Sequence, residues 1–349
     1  MKPILFHQIG LNYNIMPENT QVSVLVPVYN VAPFIERCVH TLFKQTFQNI
    51  EFIFVNDKST DNSMTLLNNV LSSYPARIEQ VRIIEHERNQ GISYTRKTLL
   101  SAAQGEYIFW VDSDDFICEN AVEIAYNAII AAKADLLISN SHYLYYGKQK
   151  IEKYVQDTSY DGWDYFTGLV NRKRRAAIWA AIAKRALYTD NNVQIMDFSY
   201  GEDYFITAQL LYFAKNVAFI DEPFYFYNKI NESSYTAGKK QEFHFQSIIR
   251  LLNSLDKFFQ DNNATEQYHI ILLKAKIVER NNLLLHTTPT LRRKYADLYE
   301  KETKSFQNAL PFTAWQRFLL KPIESRHFLI ADGLLIFAKI VRALFGIQF

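Results

Sequence analysis

The chain has 349 residues, is 48% hydrophobic and 21% charged, and is close to neutral, with 38 Lys and Arg against 36 Asp and Glu. That apolar content excludes wholesale disorder, and the length suits one large domain with an appendage or two ordinary domains. A formal net charge of +2 does not supply the concentrated basic face that nucleic-acid binding needs, so no nucleic-acid partner is expected.

The only cysteines, Cys38 and Cys118, are too few for a disulfide framework and lack metal-ligand spacing. They read as reduced thiols of a cytoplasmic protein. Residues 1–20 form an N-terminal extension whose apolar run, Ile4 to Phe6, is too short for a signal-peptide core. No segment offers the roughly 18 consecutive apolar residues that a spanning helix needs.

Val22 to Val26 is a β-branched apolar run ending at Pro27, and Pro33 opens a helix to Gln45. Glu51 to Val55 is a second strand, followed by the polar turn Asn56–Asn62; Asp61 or Ser63 is placed to cap a helix through Leu71. Val81 to Ile84 and Ser93 to Ala103 give a third strand and a third helix. Tyr107 to Val111 is a fourth strand, stopped by Asp112-Ser113-Asp114-Asp115; a helix (Glu119–Ala132) and a strand (Asp135–Ser139) follow. Apolar strands alternating with helices predict an α/β fold with a Rossmann-like, mostly parallel sheet and helices on both faces. Ligands bind at the carboxyl ends of such strands, where the three polar clusters fall. Past Gly238 the spacing of Phe245, Ile248, Leu252 and Leu255 is helical, which sets a boundary near residue 235 and a C-terminal helical region, 236–349.

Several chemistries lack their apparatus. There is no Gly-x-Gly-x-x-Gly, no P-loop, no nucleophile elbow and no His-Glu-x-x-His. What remains is acidic. Asp112, Asp114 and Asp115 crowd three carboxylates behind a buried-looking strand, and oxygen-only ligands suit Mg²⁺ or Mn²⁺ bridging substrate phosphates. A solvated turn capping the next helix is the alternative.

At these residues a resemblance becomes specific. Val22 to Asn30, Phe54-Val55-Asn56-Asp57-Lys58-Ser59-Thr60-Asp61, Asn89-Gln90-Gly91 with Arg96, Gly105-Glu106-Tyr107-Ile108 before Asp112–Asp115, and Gly201-Glu202-Asp203-Tyr204 resemble, in order, the motifs of the family 2 inverting glycosyltransferases of GT-A fold, of the bacterial polysaccharide-biosynthesis type. The resemblance covers residues 21–235. It implies a nucleotide-diphosphate sugar as donor, UDP-linked by preference, a glycan or lipid-linked acceptor, and a hexosyl- or N-acetylhexosaminyl-transferase. Pro27 and Tyr29 are then expected at the nucleobase, and Asp57 as acceptor from the base N3–H. Arg96 is expected near a phosphate or the ribose, with a solvated surface charge as its alternative. Asp112 is expected near the ribose or the metal waters, and Asp114 or Asp115 on the metal itself. Asp203 becomes the general base, oriented by Glu202, unless the pair merely opens a helix at the favourable end of its dipole. Asn56 and Lys58 depart from the family's Asp and Gly, and Asn228 stands where an Arg is common. Trp179, Tyr225, Phe226 and Tyr227 could form an acceptor platform or simply core. A non-catalytic sugar-nucleotide binder and a nucleotidyltransferase remain as rivals.

From Arg292 onward ten Lys or Arg face five Asp or Glu, and Phe328 to Phe349 is apolar between Asp332, Lys339 and Arg342. This pattern suits a helix on the inner face of an anionic plasma membrane, or one packed on its own domain or on a second subunit of a homodimer. The basic run Arg172–Arg175 reads as a solvated face or a contact to a lipid diphosphate.

Overall fold

The computed structural model describes residues 20–145, 148–152, 162–171, 173–176, 178–197, 200–231, 240–306 and 314–345. Most of the N-terminal extension, Arg172 and the last four residues lie outside that description.

The first half alternates as its hydrophobic runs predict: β1 (Val22–Val28), α1 (Ala32–Phe43), β2 (Ile50–Asn56), α2 (Ser63–Ser72), β3 (Val81–Glu85), α3 (Ile92–Ala102) and β4 (Tyr107–Trp110). Then come β5 (Phe116–Ile117), α4 (Ala121–Ala131), β6 (Leu136–Tyr145), β7 (Lys148–Glu152), α5 (Gly162–Val170), β8 (Ala181–Lys184), α6 (Arg185–Thr189), α7 (Glu202–Phe213) and β9 (Val217–Asn228). The helical region comprises α8 (Glu242–Asp261), α9 (Thr265–Leu285), α10 (Pro289–Lys294), α11 (Glu300–Phe306), α12 (Ala314–Glu324) and α13 (Phe328–Phe345). All residues of β1 and β2 are buried, which is why both read as unbroken runs rather than alternating ones.

The sheet runs β3-β2-β1-β4-β8-β6-β9-β5, with β7 on β6. The strands from β3 to β4 are parallel. β8 lies antiparallel to both β4 and β6, so β6 and its parallel neighbour β9 point the same way as β4. Parallel pairing is therefore confined to the first four strands and the β6–β9 pair, with β8 reversed between them. The consequence for function is positional: the carboxyl ends of β1, β2, β4 and β9 all reach one edge.

The helical region is continuous with this core. Phe205 and Tyr212 of α7 meet Phe258 of α8, and Trp163 and Phe166 of α5 meet Tyr268 of α9. Helix α13 buries Ala331 and Leu335, and its Asp332 pairs with Arg292 and Arg293. Its Leu329, Ile330, Ile336 and Phe337 are exposed. Among the described residues no helix is long and apolar enough to cross a membrane.

One buried charge fastens the parallel half. Glu51, fully buried in β2, accepts from Ser23 Oγ (2.5 Å), Gln104 N (2.7 Å) and Arg82 Nη2 (2.9 Å). Gly105 approaches β1 so closely that a Cβ there would lie 2.6 Å from Ser23 N, so its glycine is required by contact. Glu51→Ala strands these donors and is expected to lower unfolding free energy by about 3 kcal/mol, read from urea denaturation.

Candidate active site

Three loops meet at the edge beyond β1, β2 and β3, and side chains stitch them together. Asp57 Oδ1 accepts from His86 Nδ1 (2.7 Å) and Gln90 N (2.9 Å), and its Oδ2 accepts from Gly91 N (2.8 Å). A carboxylate has about four acceptor positions, so these three bonds leave one on Asp57, which lines the cleft. Asn30, at φ +49°, accepts from Thr60 N (2.8 Å). Pro27 is buried, and the Tyr29 ring is exposed at the cleft edge.

The two departures from the family pattern have local reasons. Asn56 donates to Glu85 Oε2 (2.6 Å) and accepts from Ser59 N (2.9 Å), a double role an Asp could not fill beside another carboxylate. Lys58 holds φ +63°, so the left-handed turn is kept with a side chain in place of glycine. The helix-capping expectation needs correcting: Asn62 occupies the cap position of α2 without a side-chain bond. Asp61 accepts from Ser63 N (3.0 Å) and from Ala32 N (3.0 Å), serving the starts of α2 and α1 together.

The aspartate trio divides by environment. Asp112 and Asp114 line the cleft, and Asp115 is fully buried beneath it. Asp115 Oδ2 accepts from Tyr225 Oη (2.7 Å) and Oδ1 from Asn228 N (2.7 Å). The same phenol oxygen accepts from Asp112 N (3.1 Å), so Tyr225 ties both ends of the turn to β9. Asn228 also donates to Asp114 O (3.0 Å), and Asn231 Nδ2 to Asp114 Oδ2 (2.8 Å). Burial first, then the charge of Asp112, pushes Asp114 up to about 6. Burial and the neighbouring Asp114 and Asp112 drive Asp115 well above the usual carboxylate range.

Arg96, from α3, is buried rather than a solvated charge. Its Nη2 lies 3.0 Å from Asp112 Oδ1, 3.4 Å from Asp203 Oδ1 and 3.7 Å from Glu202 Oε1. Among the described residues its Nε and Nη1 have no hydrogen-bond partner. Burial acts to lower its pKa, but Asp112, Asp203 and Glu202 outweigh that and the net shift is upward. Gly201, at φ +94°, turns the chain into α7, and a Cβ there would come 3.2 Å from Leu251 of α8. Glu202 and Asp203 thus open α7 facing the same guanidinium. Burial raises the Asp203 carboxyl well above its ordinary value, Glu202 adds to this and Arg96 opposes it. Glu202 is also raised by burial, against the pull of Arg96.

The cleft has a volume of about 980 Å³. Asp112, Glu202 and Asp203 share one buried guanidinium, and Asp114 lines the same wall. That excess of negative charge suits a divalent cation. Among the described residues no group of three or more His, Cys, Asp or Glu is arranged to hold a metal ion.

Of the aromatics, Tyr225 and Trp179 are buried, and Phe226 stacks between Phe116 and His142. Core packing accounts for most of them, with Trp179 and Tyr227, stacked at 5.0 Å, also lining the cleft. Five residues that sequence reasoning did not assign to the site contribute to it. Asn228 and Asn231 hold the acidic turn, and Lys240, Glu279 and His286 of the helical region form part of the wall. Only spacing relative to β9 and α9 could have pointed to them.

This edge and acidic cleft define a glycosyltransferase of GT-A fold. A crystal structure of S. aureus TarS residues 1–349 in complex with UDP-GlcNAc is similar at a TM-score of 0.56 and 19% identity, covering 83% of this chain and 92% of that one. A Pyrobaculum calidifontis mannosyltransferase, PcManGT, in complex with GDP-Man and Mn²⁺, is similar at a TM-score of 0.50 and 17% identity, over 94% and 88% of the two chains. The model of glycosyl transferase family 2 matches residues 23–194, which form a domain of that family. The putative glycosyltransferase EpsH of Bacillus subtilis is 29% identical over 327 residues, 87% of this chain and 91% of EpsH. GlyG of Streptococcus pneumoniae is 39% identical over 119 residues, 34% of this chain and 38% of GlyG.

The tie through Tyr225 can be tested alone. Tyr225→Phe removes the bonds to Asp112 N and Asp115 Oδ2 and is expected to reduce stability by about 1–2 kcal/mol, measured by thermal denaturation.

Proposed function

We propose that the protein transfers a sugar, with inversion, from a nucleotide-diphosphate donor, a UDP-sugar, to a hydroxyl of a glycan or lipid-linked acceptor in surface-polysaccharide synthesis. The observation that carries this reading is that the acidic turn after β4 and the acidic pair opening α7 meet at one guanidinium within one cleft. The UDP-GlcNAc complex of TarS and the GDP-Man complex of PcManGT support the donor class.

In this reading Pro27 and Tyr29 take the nucleobase, and the remaining acceptor position of Asp57 takes its N3–H. Asp112 and Asp114 would hold Mg²⁺ or Mn²⁺, which supplies neutralisation for the charge on the departing diphosphate. Asp115, with both carboxyl oxygens engaged from β9, fixes the turn rather than facing the ion. Asp203 removes the proton of the acceptor hydroxyl as that oxygen bonds to the anomeric carbon, and the bond to the diphosphate oxygen breaks with its electron pair on the leaving group. A base raised above the ordinary carboxylate range holds a transferred proton better at neutral pH. Arg96 keeps enough of Asp203 ionised to act, and Glu202 shares that guanidinium and fixes its position.

Asp203→Asn is expected to reduce turnover by about 10²–10⁴-fold with UDP affinity retained, checked by donor assays and calorimetry. The base must be ionised, so kcat/KM rises with pH through its pKa. Because that pKa is raised, the acid limb should lie above about 4, the ordinary carboxylate value, and should vanish in the variant.

Location at the cytoplasmic face of the plasma membrane belongs to the same proposal. The exposed Leu329, Ile330, Ile336 and Phe337 form an apolar surface in a C-terminal stretch of net positive charge. Flotation with anionic liposomes is expected, and loss of flotation in Ile336→Asp/Phe337→Asp checks the face. A homodimer burying the same residues would stay with the soluble fraction.

A further inference from the structure

No sequence motif marks His86, the first residue past β3, yet among the described residues it is the side chain that donates to Asp57. Parallel pairing puts the two together. Asn56 of β2 stands opposite Glu85 of β3, and one rung further out Asp57 meets His86, whose N donates to Asn56 O (3.0 Å). Side chains close both rungs: Asn56 donates to Glu85 (2.6 Å), and His86 Nδ1 to Asp57 Oδ1 (2.7 Å). Asp57 and His86 are both buried. The far side of the imidazole is held as well. Nε2 lies 3.0 Å from Thr98 Oγ1 of α3, and the ring meets the Tyr94 ring edge-on at 5.4 Å. Asp57 lines the cleft, whereas His86 is not among the described lining residues, so it acts on a ligand only through Asp57.

The hydrogen atoms follow from the partners. Asp57 faces His86 Nδ1 and the backbone donors Gln90 N and Gly91 N, which is the setting of a carboxylate, and a carboxylate only accepts. Nδ1 therefore carries a hydrogen. The Thr98 hydroxyl, which can donate or accept, suits Nε2 with or without one. His86 and Gln90 fill both acceptor positions of Oδ1, and Gly91 fills one on Oδ2, so the fourth position is on Oδ2. Uracil brings an N3–H to such an acceptor, and cytosine brings a lone pair in the same place. A fixed acceptor favours the first and repels the second. We infer that His86 is a positioning residue that sets the choice of nucleobase: its Nδ1–H holds Asp57 as a fixed, acceptor-only group, so that the donor carries uracil rather than cytosine. The inference rests on the reading of Asp57 as the partner of the base, and it deepens that reading by naming what enforces the choice.

The test is calorimetric titration of the full chain with UDP and with CDP, each in the presence of Mg²⁺. The unmodified chain is expected to bind UDP about tenfold tighter than CDP, as for one hydrogen bond to a charged acceptor. His86→Leu keeps a side chain of similar size and removes the Nδ1–H. Asp57 can then turn or bind a proton, and either change admits cytosine, through its N4–H₂ in the first case and its N3 in the second. The preference for UDP should therefore fall about tenfold, to near equality. His86→Asn is smaller but places an amide N–H where Nδ1–H stands, so it should retain the preference. A packing role predicts the reverse order, because Leu fills the space and Asn does not. His269→Leu, at an exposed position on α9, controls for loss of a histidine. A preference unchanged in His86→Leu, or lost equally in His86→Leu and His86→Asn, overturns the proposal. Asp57→Ala separates it from the reading beneath. If Asp57→Ala abolishes the preference and His86→Leu does not, Asp57 keeps the base and His86 loses its role. If the unmodified chain binds no UDP or shows no preference, or if the preference survives Asp57→Ala, the reading of Asp57 falls and this inference with it.

Discussion

A guanidinium removed from water loses hydration that only well-placed carboxylates can replace. Arg96 is such a group, and its position depends on three separate parts of the chain. Helix α3 supplies it, the turn after β4 supplies Asp112, and the start of α7 supplies Glu202 and Asp203. None of these could shift alone without leaving a buried charge uncompensated. The side chain also lies over the Trp110 ring, at 5.2 Å, which fixes it from the sheet side. Three carboxylates face this one cation, so their charges are not fully matched by it.

The same logic explains why the acidic turn needs β9. Three aspartates within four positions repel one another, and local sequence offers nothing to separate their roles. Tyr225 and Asn228 do so from more than a hundred residues away, taking Asp115 into the core and leaving Asp112 and Asp114 on the wall. β9 reaches that edge because two antiparallel pairings, through β8, restore the direction of β4 for β6 and its neighbour. Asn228 in place of a family arginine then fits the local chemistry. Its amide both donates to the Asp114 carbonyl and accepts from Ile230 N (3.0 Å), which a guanidinium could not do.

How much of this was legible follows from where each piece of information resides. β1, β2 and β4 were readable because a strand buried on both faces is a continuous apolar run closed by a polar loop. The ordered motifs placed Asp57, Arg96, Asp112, Asp114 and Asp203 on one cleft, and all five line it. What the sequence left open were choices made by distant partners. Asp114 and Asp115 are indistinguishable until Tyr225 and Asn228 are in place, and Arg96 reads equally as a surface charge until α7 covers it. β8 escaped notice as well, since four residues ending in Lys184 carry too short a pattern to set direction.

The boundary near residue 235 shows the same limit from the other side. The helical spacing after Gly238 is real, yet it does not separate a detachable appendage from the site. Leu251 of α8 lies against Gly201, the residue that aims Glu202 and Asp203, and Phe258 packs on Phe205 of α7. Glu279 and Asn282 of α9 and His286 just past its end, spaced three and four apart, look like an ordinary polar stripe in sequence, but the stripe faces the cleft. A helix that presents its apolar side to the core and a polar side to a cavity carries the same amphipathic signature as one facing solvent. Periodicity therefore locates the helix, and only the fold tells which medium its polar face meets.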